Sequence, residues 1–568
     1  MTRTSAPATG SSVATNERRL SRRELLLRGA AATAGLGLAA PMAARAAFPA
    51  LLGGNRGVVA RLLPTAEDMY RDVKYMVDLG QRLPGSDPHN EFIDWLDQGF
   101  RDAGCQMLPR DEFPFERWLA QSWSLELLEG PGAGPIPVAS YMPYSGNTSP
   151  SGVVAPLAYI GAVPPLALAG DPQDIESLQA AIERLRGELV DWAKAAIAGI
   201  PGGVKGRIVM FDGQTLPLTE RDFAPLTTYS YDPGTPPTAT PNFKRIALSL
   251  LAPGSVFAQA GAAGLLVTLD ASPACAAGQY GPYGSAITGL PGFLIDRDTG
   301  AKLRTYAEGL PKARLTLTAS LKQTSTSQLV GILPGNGSTD ELMILNTHTD
   351  GMNAFEENGG VGLVHLARYF SSLPMSRRLS RTLVFSAVSG HFAGPALPQT
   401  RGFIDRHPDL VKKAAASVTI EHLGASEWLD DARGYHSTGE PDMFVIWHSQ
   451  TAGIAGPVVD SMIANDLVHS RALRPAGDYM IAVGTAFNES GVPTVSSIVA
   501  PNYMVSWADN GHLDKFMPAR AAREVQWAAD LVTRFDSIPA AQLAAGDSAV
   551  LRTGVACLPG DNTALCLT

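Results

Sequence analysis

The sequence predicts an α/β fold, a mostly parallel mixed sheet sandwiched by helices, with a smaller α/β unit inserted into it. Three observations carry that expectation. First, five short apolar runs recur in the second half of the chain: LMILNT (342–347), RTLVFSAV (381–388), ASVTI (416–420), DMFVIW (442–447) and TVSSIV (494–499). They are near-continuously apolar rather than alternating, as expected of strands covered on both faces. Second, helical patterns separate several of them, notably GLVHLARYFSSL and the closing PARAAREVQWAADLVTRF, and strands alternating with helices point to a sheet with helices on its faces. Third, 568 residues exceed what one hydrophobic core holds. With charged residues at 17%, apolar residues at 45%, 57 Gly and 42 Pro, the chain reads as turn-rich and folded, not as disordered.

In chain order, Arg18 to Arg28 read RRLSRRELLLR ahead of an Ala/Gly-rich run, Gly29 to Met42, that ends in Ala44-Arg45-Ala46. This resembles a twin-arginine signal peptide. Residues 1–46 are therefore expected to be removed on export by the twin-arginine machinery, leaving a periplasmic or extracellular protein. The Ala/Gly-rich run is too short and too weakly apolar to span a membrane, and no second such run follows, so no membrane anchor is expected after cleavage. Residues 47–147 open with a helical pattern, AEDMYRDVKYMVDLGQRL, then the LPGSDPHN turn, a helix from about Asn90 to Ala103 and a strand-like LAQSWSLELLE. From 148 to 323 the texture changes. A long amphipathic stretch precedes VKGRIVMFDG, a helix through FKRIALSLLAPGSVFAQAGAAG, then LLVTLD and PGFLIDRDTGAKL, which together predict the small inserted α/β domain. Residues 324–540 resume the main domain, and 541–568 form a tail.

Composition and motifs exclude several functions. The net charge is −9 with no Lys/Arg block beyond the N-terminus, so no nucleic-acid partner is expected. There is no Gly-x-Ser-x-Gly elbow, no HExxH helix and no phosphate-binding Gly loop. Four cysteines are too few for a disulfide framework. Cys557 and Cys566 flank a Pro-Gly-Asp-Asn turn and make a plausible disulfide in an oxidising compartment, whereas Cys105 and Cys275 read as buried thiols.

The histidines are unevenly placed: nine of the ten lie between His348 and His512. In sheets of this kind the binding crevice lies beyond the carboxyl ends of the strands. The residues found there are His348 and Asp350 after the first strand, His391 after the second, and Glu421 and His422 after the third. The last strand runs into a segment holding Trp507 and His512. Imidazole and carboxylate are the ligands a catalytic zinc uses, three of them with an open position for water. His348 and Asp350 are two residues apart, so an extended backbone sends both from one face, and the carboxylate can orient the imidazole. Glu356 and Glu357 precede Asn358-Gly359-Gly360 and a helix whose N-terminus favours their charge. His365, His407, His436, His448 and His469 read as structural.

These features together resemble the zinc aminopeptidase and glutamate-carboxypeptidase-like family, in the form that carries an inserted protease-associated domain. Arg82-Leu83-Pro84-Gly85-Ser86 is similar to its Arg-x-x-Gly-Ser turn, His348-Thr349-Asp350 to its His-x-Asp, and Gly491-Val492-Pro493 to the Gly-Ile-Pro before its last core strand. VKGRIVMFDG, AGAAGLLV and PGFLIDRDTGAKL resemble the protease-associated insert. The resemblance implies a sheet-based metallopeptidase fold and one or two zinc ions. The site itself departs from the family: Glu356 or Glu357 stands for the bridging Asp, Ser389-Gly390-His391 for the Glu-Glu pair, Glu421 for the Asp of Asp-Met-Ile-Gly, and Ser506-Trp507, with His512 further on, for Tyr-His.

Two functions follow as expectations. In the first, His348, Glu357 or Glu356, His391, Glu421 and His512 hold zinc, while whichever of Glu356 and Glu357 is not a ligand removes a proton from water, with Asp350 in support. The substrate would be a peptide or other small amide, bounded by the insert and by the aromatic residues Tyr280, Tyr283, Tyr503 and Trp507. In the second, the chain is a catalytically inactive secreted binding protein on a peptidase scaffold.

Overall fold

All five strands expected in the second half form, as Leu342–His348, Thr382–Val388, Ala414–Ile420, Phe444–His448 and Thr494–Ile498. They belong to a computed structural model that describes residues 57–546, apart from 166–175, 214–215, 220–225, 233–240, 246–252, 282–287, 394–395 and 476–477. The expected signal segment, Tyr283, Cys557 and Cys566 lie outside the described residues. Nearly every side chain of the five strands is buried, which is why their sequences lack polar alternation.

Leu342–His348 lies between Thr382–Val388 and Ala414–Ile420 and is parallel to both. Thr494–Ile498 continues the parallel run beside Ala414–Ile420. Beyond it Phe444–His448 is antiparallel, and Ser470–Leu473 is parallel to that strand. The sheet is thus mixed and mostly parallel. The helix Gly359–Ser371 is packed on one face, with Ala66–Asp78, Asp87–Asp102 and Pro518–Asp536 around it. Phe403 and Phe487, from the short helices Thr400–Arg406 and Thr485–Glu489, pack with Ile344, Val384 and Val388 of the sheet. Gly359 is forced by contact: a Cβ there would lie 2.2 Å from the Thr347 hydroxyl and 2.3 Å from the Ile420 carbonyl oxygen. The helix therefore starts directly on the sheet, which sets the preceding turn over the strand ends.

The strand Lys312–Leu333 belongs to two regions at once. Its last residues, Leu329–Leu333, pair antiparallel with Thr382–Val388. Its first, Lys312–Leu315, pair with Val153–Ala162, and most of its length pairs with Asp111–Leu127. Val153–Ala162 in turn begins a parallel series with Ile208–Asp212, Gly264–Thr268 and Gly292–Ile295. The junction expected near residue 323 lies inside this shared strand. One apolar cluster joins Trp118, Leu125, Leu315 and Leu317 of the two long strands to Leu157, Ile208, Leu266 and Phe293, and extends to Tyr280 and Phe392.

Two local expectations are corrected. The helix expected through residues 243–264 is instead a strand, Pro241–Arg245, antiparallel to Leu216–Thr219, followed by a short helix, Pro253–Gln259. A proline has no N–H to donate and clashes with a preceding turn, so Pro253 is favoured at the first position of a helix and disfavoured in the interior of a longer one. The first helix ends at Asp78 rather than running to Leu83, because Gly80 turns the chain at φ +96°. Cys105 and Cys275 are buried thiols, as expected. Among the described residues, no helix is long and apolar enough to cross a membrane.

Candidate metal centre

Parallel strands end at the same edge, so the residues following three neighbouring strands meet. His348 ends the central one, His391 follows Thr382–Val388 by three residues, and Glu421 and His422 directly follow Ala414–Ile420. Glu356 enters from the turn ahead of Gly359–Ser371. His348 Nε2 lies 3.6 Å from Glu421 Oε2, and His422 Nε2 lies 4.0 Å from the same oxygen. The two oxygens of Glu356 face different rings, Oε1 at 3.7 Å from His391 Nε2 and Oε2 at 3.7 Å from His422 Nε2. The side chains of His348, Glu356, Glu421 and His422 are at most 1% exposed, and that of His391 is 18% exposed.

The other nitrogen of each ring is already committed. His348 Nδ1 donates to the Asp350 carbonyl at 3.0 Å, and His422 Nδ1 to the Val499 carbonyl at 2.6 Å. His391 Nδ1 donates to the Gln399 amide oxygen at 3.2 Å. A carbonyl only accepts, so the proton sits on Nδ1 and the lone pair on Nε2, the atom turned toward the carboxylates. Fixing the tautomer through the far nitrogen is how proteins prepare histidine for a metal. Burial holds His348 well below the usual imidazole range, helped by His391 and His422, and lowers His391 to about 4, so both rings stay neutral.

The carboxylates are anchored as deliberately. Glu421 Oε1 accepts the Val483 amide at 2.8 Å, leaving Oε2 toward the rings, and burial pushes this carboxyl up to about 8. Asn353 Oδ1 accepts the amides of Phe355 and Glu356, while its Nδ2 donates to the carbonyls of Met504 and Ser506. Asn358 clamps both polar groups of Leu423, one residue past His422. His422 itself sits at φ +56°, a left-handed conformation that non-glycine residues rarely adopt and that concentrates at functional sites.

A divalent metal fits this donor set. His348 Nε2 and Glu421 Oε2 are fully buried and make no hydrogen bond, an arrangement costing roughly 1–3 kcal/mol per group unless something occupies the gap. His348, Glu356 and His422 each offer a ligand atom, all within 4.8 Å of one another. Two ligands on one tetrahedral zinc are about 3.4 Å apart, given bonds of about 2.0–2.1 Å. The 3.7 Å separations of Glu356 from His391 and from His422 are too long for hydrogen bonds but suit atoms facing a shared ion.

The remaining sequence candidates are placed elsewhere. The Asp350 carboxylate does not orient His348; its carbonyl does, while the carboxylate accepts the amides of Gly390 at 2.8 Å and Phe392 at 2.5 Å and so shapes the His391 loop. Glu357 is drawn to the buried Arg82 guanidinium, which also donates to the Gly80 and Asn353 carbonyls. His512 Nε2 is 2.8 Å from the Ser506 hydroxyl, and its ring lies against Tyr503. The cluster thus gathers His348, Glu356, His391 and Glu421, adds His422, and leaves Glu357 and His512 outside. Tyr503 is buried with its hydroxyl on the Ser426 carbonyl, and Tyr280 is buried in the core, so neither lines an open pocket. Sequence reasoning missed Asn353, Asn358 and Gln399, which have no motif. It also missed His89, a buried ring on the Thr349 hydroxyl at 3.0 Å, next to His348 in sequence.

The Arg82–Glu357 pair gives a stability prediction. Arg82→Met should destabilise the protein by about 3–5 kcal/mol in urea unfolding, because it strands a buried carboxyl. Arg82→Met/Glu357→Met should recover more than half of that loss; a double variant as unstable as the single would show that the pair is not the source.

No protein-family model matches the sequence, and no curated protein sequence does. Solved structures do match in shape. The peptidase M28 precursor from Shewanella amazonensis SB2B aligns with a TM-score of 0.55 at 15% identity, over 84% of this chain and 93% of that one. The fold is that of the M28 aminopeptidases. An aminopeptidase from Aneurinibacillus sp. strain AM-1 aligns with a TM-score of 0.50 at 16% identity, over 82% and 93% of the two chains. BSAP, a zinc aminopeptidase from Bacillus subtilis, aligns with 0.50 at 14%, over 83% and 95%. At such identities the likeness concerns the fold, and the chemistry rests on the side chains.

Proposed function

We propose that this chain is an exported, metal-dependent hydrolase of peptide or other amide bonds, with zinc held in a site rewired from the M28 pattern. The observation that carries the reading is the convergence of three imidazoles, each turned with Nε2 toward two buried carboxylates while its Nδ1 is held by a hydrogen-bond partner. His348, Glu356, His391 and His422 would hold the ion. When bound, zinc supplies Lewis acidity, lowering the pKa of water toward about 7 and polarising an amide carbonyl. Glu421, whose carboxyl burial holds at about 8 without a cation beside it, would be ionised by the bound ion and so left to take the proton: one oxygen is pinned by the Val483 amide and the other faces the site, which fixes where the proton arrives. His391, the most exposed of the five, marks the side from which substrate enters.

Residues 148–323 are read as a protease-associated-like insert that walls the crevice. Support comes from Tyr280, whose ring stacks on Phe392, one residue past His391. Export by the twin-arginine route rests on residues 18–46.

Metal analysis of the mature protein after zinc-replete refolding tests the reading. About one equivalent or more of zinc, with amide hydrolysis that stops on chelation and returns on zinc addition, is expected. Less than about a tenth of an equivalent would leave the secreted binding protein as the better account.

A further inference from the structure

We propose that Gln399 is a positioning residue that selects the tautomer of His391 and thereby keeps Nε2 of that ring available to the metal. The inference rests on the metal-centre reading above. Three observations carry it.

The first is the kind of partner. His348 and His422 lean on backbone carbonyls, which can only accept, so their tautomers are built into the fold. His391 leans on a side-chain amide, which offers an acceptor in one orientation and a donor in the other. With Oε1 toward the ring, Nδ1 carries the proton and Nε2 is a ligand. With the amide reversed, Nε2 would carry the proton and could not bind a cation.

The second is backbone strain. Gln399 sits at φ +50° and ψ −131°, a region that suits glycine and costs other residues roughly 1–3 kcal/mol. Glycine here would relieve the strain but could not reach His391. The third is bracing. The Gln399 carbonyl accepts the Gln328 amide at 3.0 Å. The adjacent Thr400 hydroxyl donates to the Val483 carbonyl at 2.7 Å, and the Val483 amide donates to Glu421. A single turn, 399–400, thus ties His391 to Glu421 across two strand ends and holds Gln399 in its unfavourable conformation.

Three variants of the mature protein separate positioning from folding: Gln399→Gly, Gln399→Glu and Gln399→Met. The readouts are the unfolding midpoint, zinc affinity by chelator competition, and the tautomer of His391 from ¹⁵N shifts of histidine-labelled, metal-free protein. Gln399→Gly should unfold at the same or higher temperature yet bind zinc about 10–100-fold more weakly, with His391 spread over both tautomers. Gln399→Met should lose affinity likewise, and Gln399→Glu, an obligate acceptor, should keep wild-type affinity and the Nδ1–H form. Wild-type affinity and a single Nδ1–H tautomer in Gln399→Gly would overturn the proposal. If the wild type itself takes up no zinc, the metal-centre reading falls, and the tautomer comparison alone decides the role of Gln399.

Discussion

A His422→Ala variant is expected to lose its metal, with zinc affinity falling more than about 100-fold, beyond the 10–100-fold typical of residues that only support ligands. His422 Nε2 faces both Glu356 and Glu421, and its ring is held by the Val499 carbonyl at 2.6 Å in a left-handed backbone conformation. Removing the ring takes away an imidazole whose Nε2 lies within 4.0 Å of an oxygen of each carboxylate. Zinc content by elemental analysis reports the loss directly. Thermal unfolding gives a second view, since a ligand that binds only the folded state raises the midpoint: zinc should raise it for the wild type and not for His422→Ala. His365→Ala is the control, because His365 pairs with Asp72 at 3.0 Å on two helices and should not alter zinc content. Wild-type zinc content in His422→Ala would sink the proposed ligand set.

A Glu421→Gln variant should separate holding the metal from moving a proton. The amide keeps the size of the carboxylate and can still accept the Val483 N–H, so the loop and the zinc should remain. Turnover is expected to fall by about 10²–10⁴-fold, the usual contribution of a positioned base. If zinc leaves along with activity, Glu421 is a ligand, as the Asp-Met-Ile-Gly comparison implied, and the proton acceptor lies elsewhere.

The residues at the strand ends were legible because two rules act together. Near-continuous apolar runs mark parallel strands, and parallel strands deliver whatever follows them to one edge. That logic found His348, His391, Glu421 and His422 from order alone. It failed where the answer depends on a distant partner. Glu356 and Glu357 are neighbours with the same chemistry, and only the position of Arg82, some 275 residues upstream, draws one of them away from the rings. Asp350 was placed on the right face but given the wrong task, since its carbonyl and not its carboxylate meets His348. His512 was drawn in by analogy with a C-terminal histidine of the family, yet Ser506 claims it. The helix expected through 243–264 failed at its start because strand pairing with Leu216–Thr219 overrode local propensity, and only Pro253–Gln259 of it is helical among the described residues.

The long strand shared by the two regions also bears on how the segment between 148 and 311 can be handled. Excising it would not release a separate module. It would uncover the strand edge at Lys312–Leu315 and the apolar faces of Leu125, Leu315 and Leu317, and a bare edge beside a greasy surface is a template for pairing with other copies. The same cluster reaches Phe392, so the shortened chain would lose support beside His391 as well. A truncation meant to open the crevice should therefore yield aggregates before it yields a more accessible site.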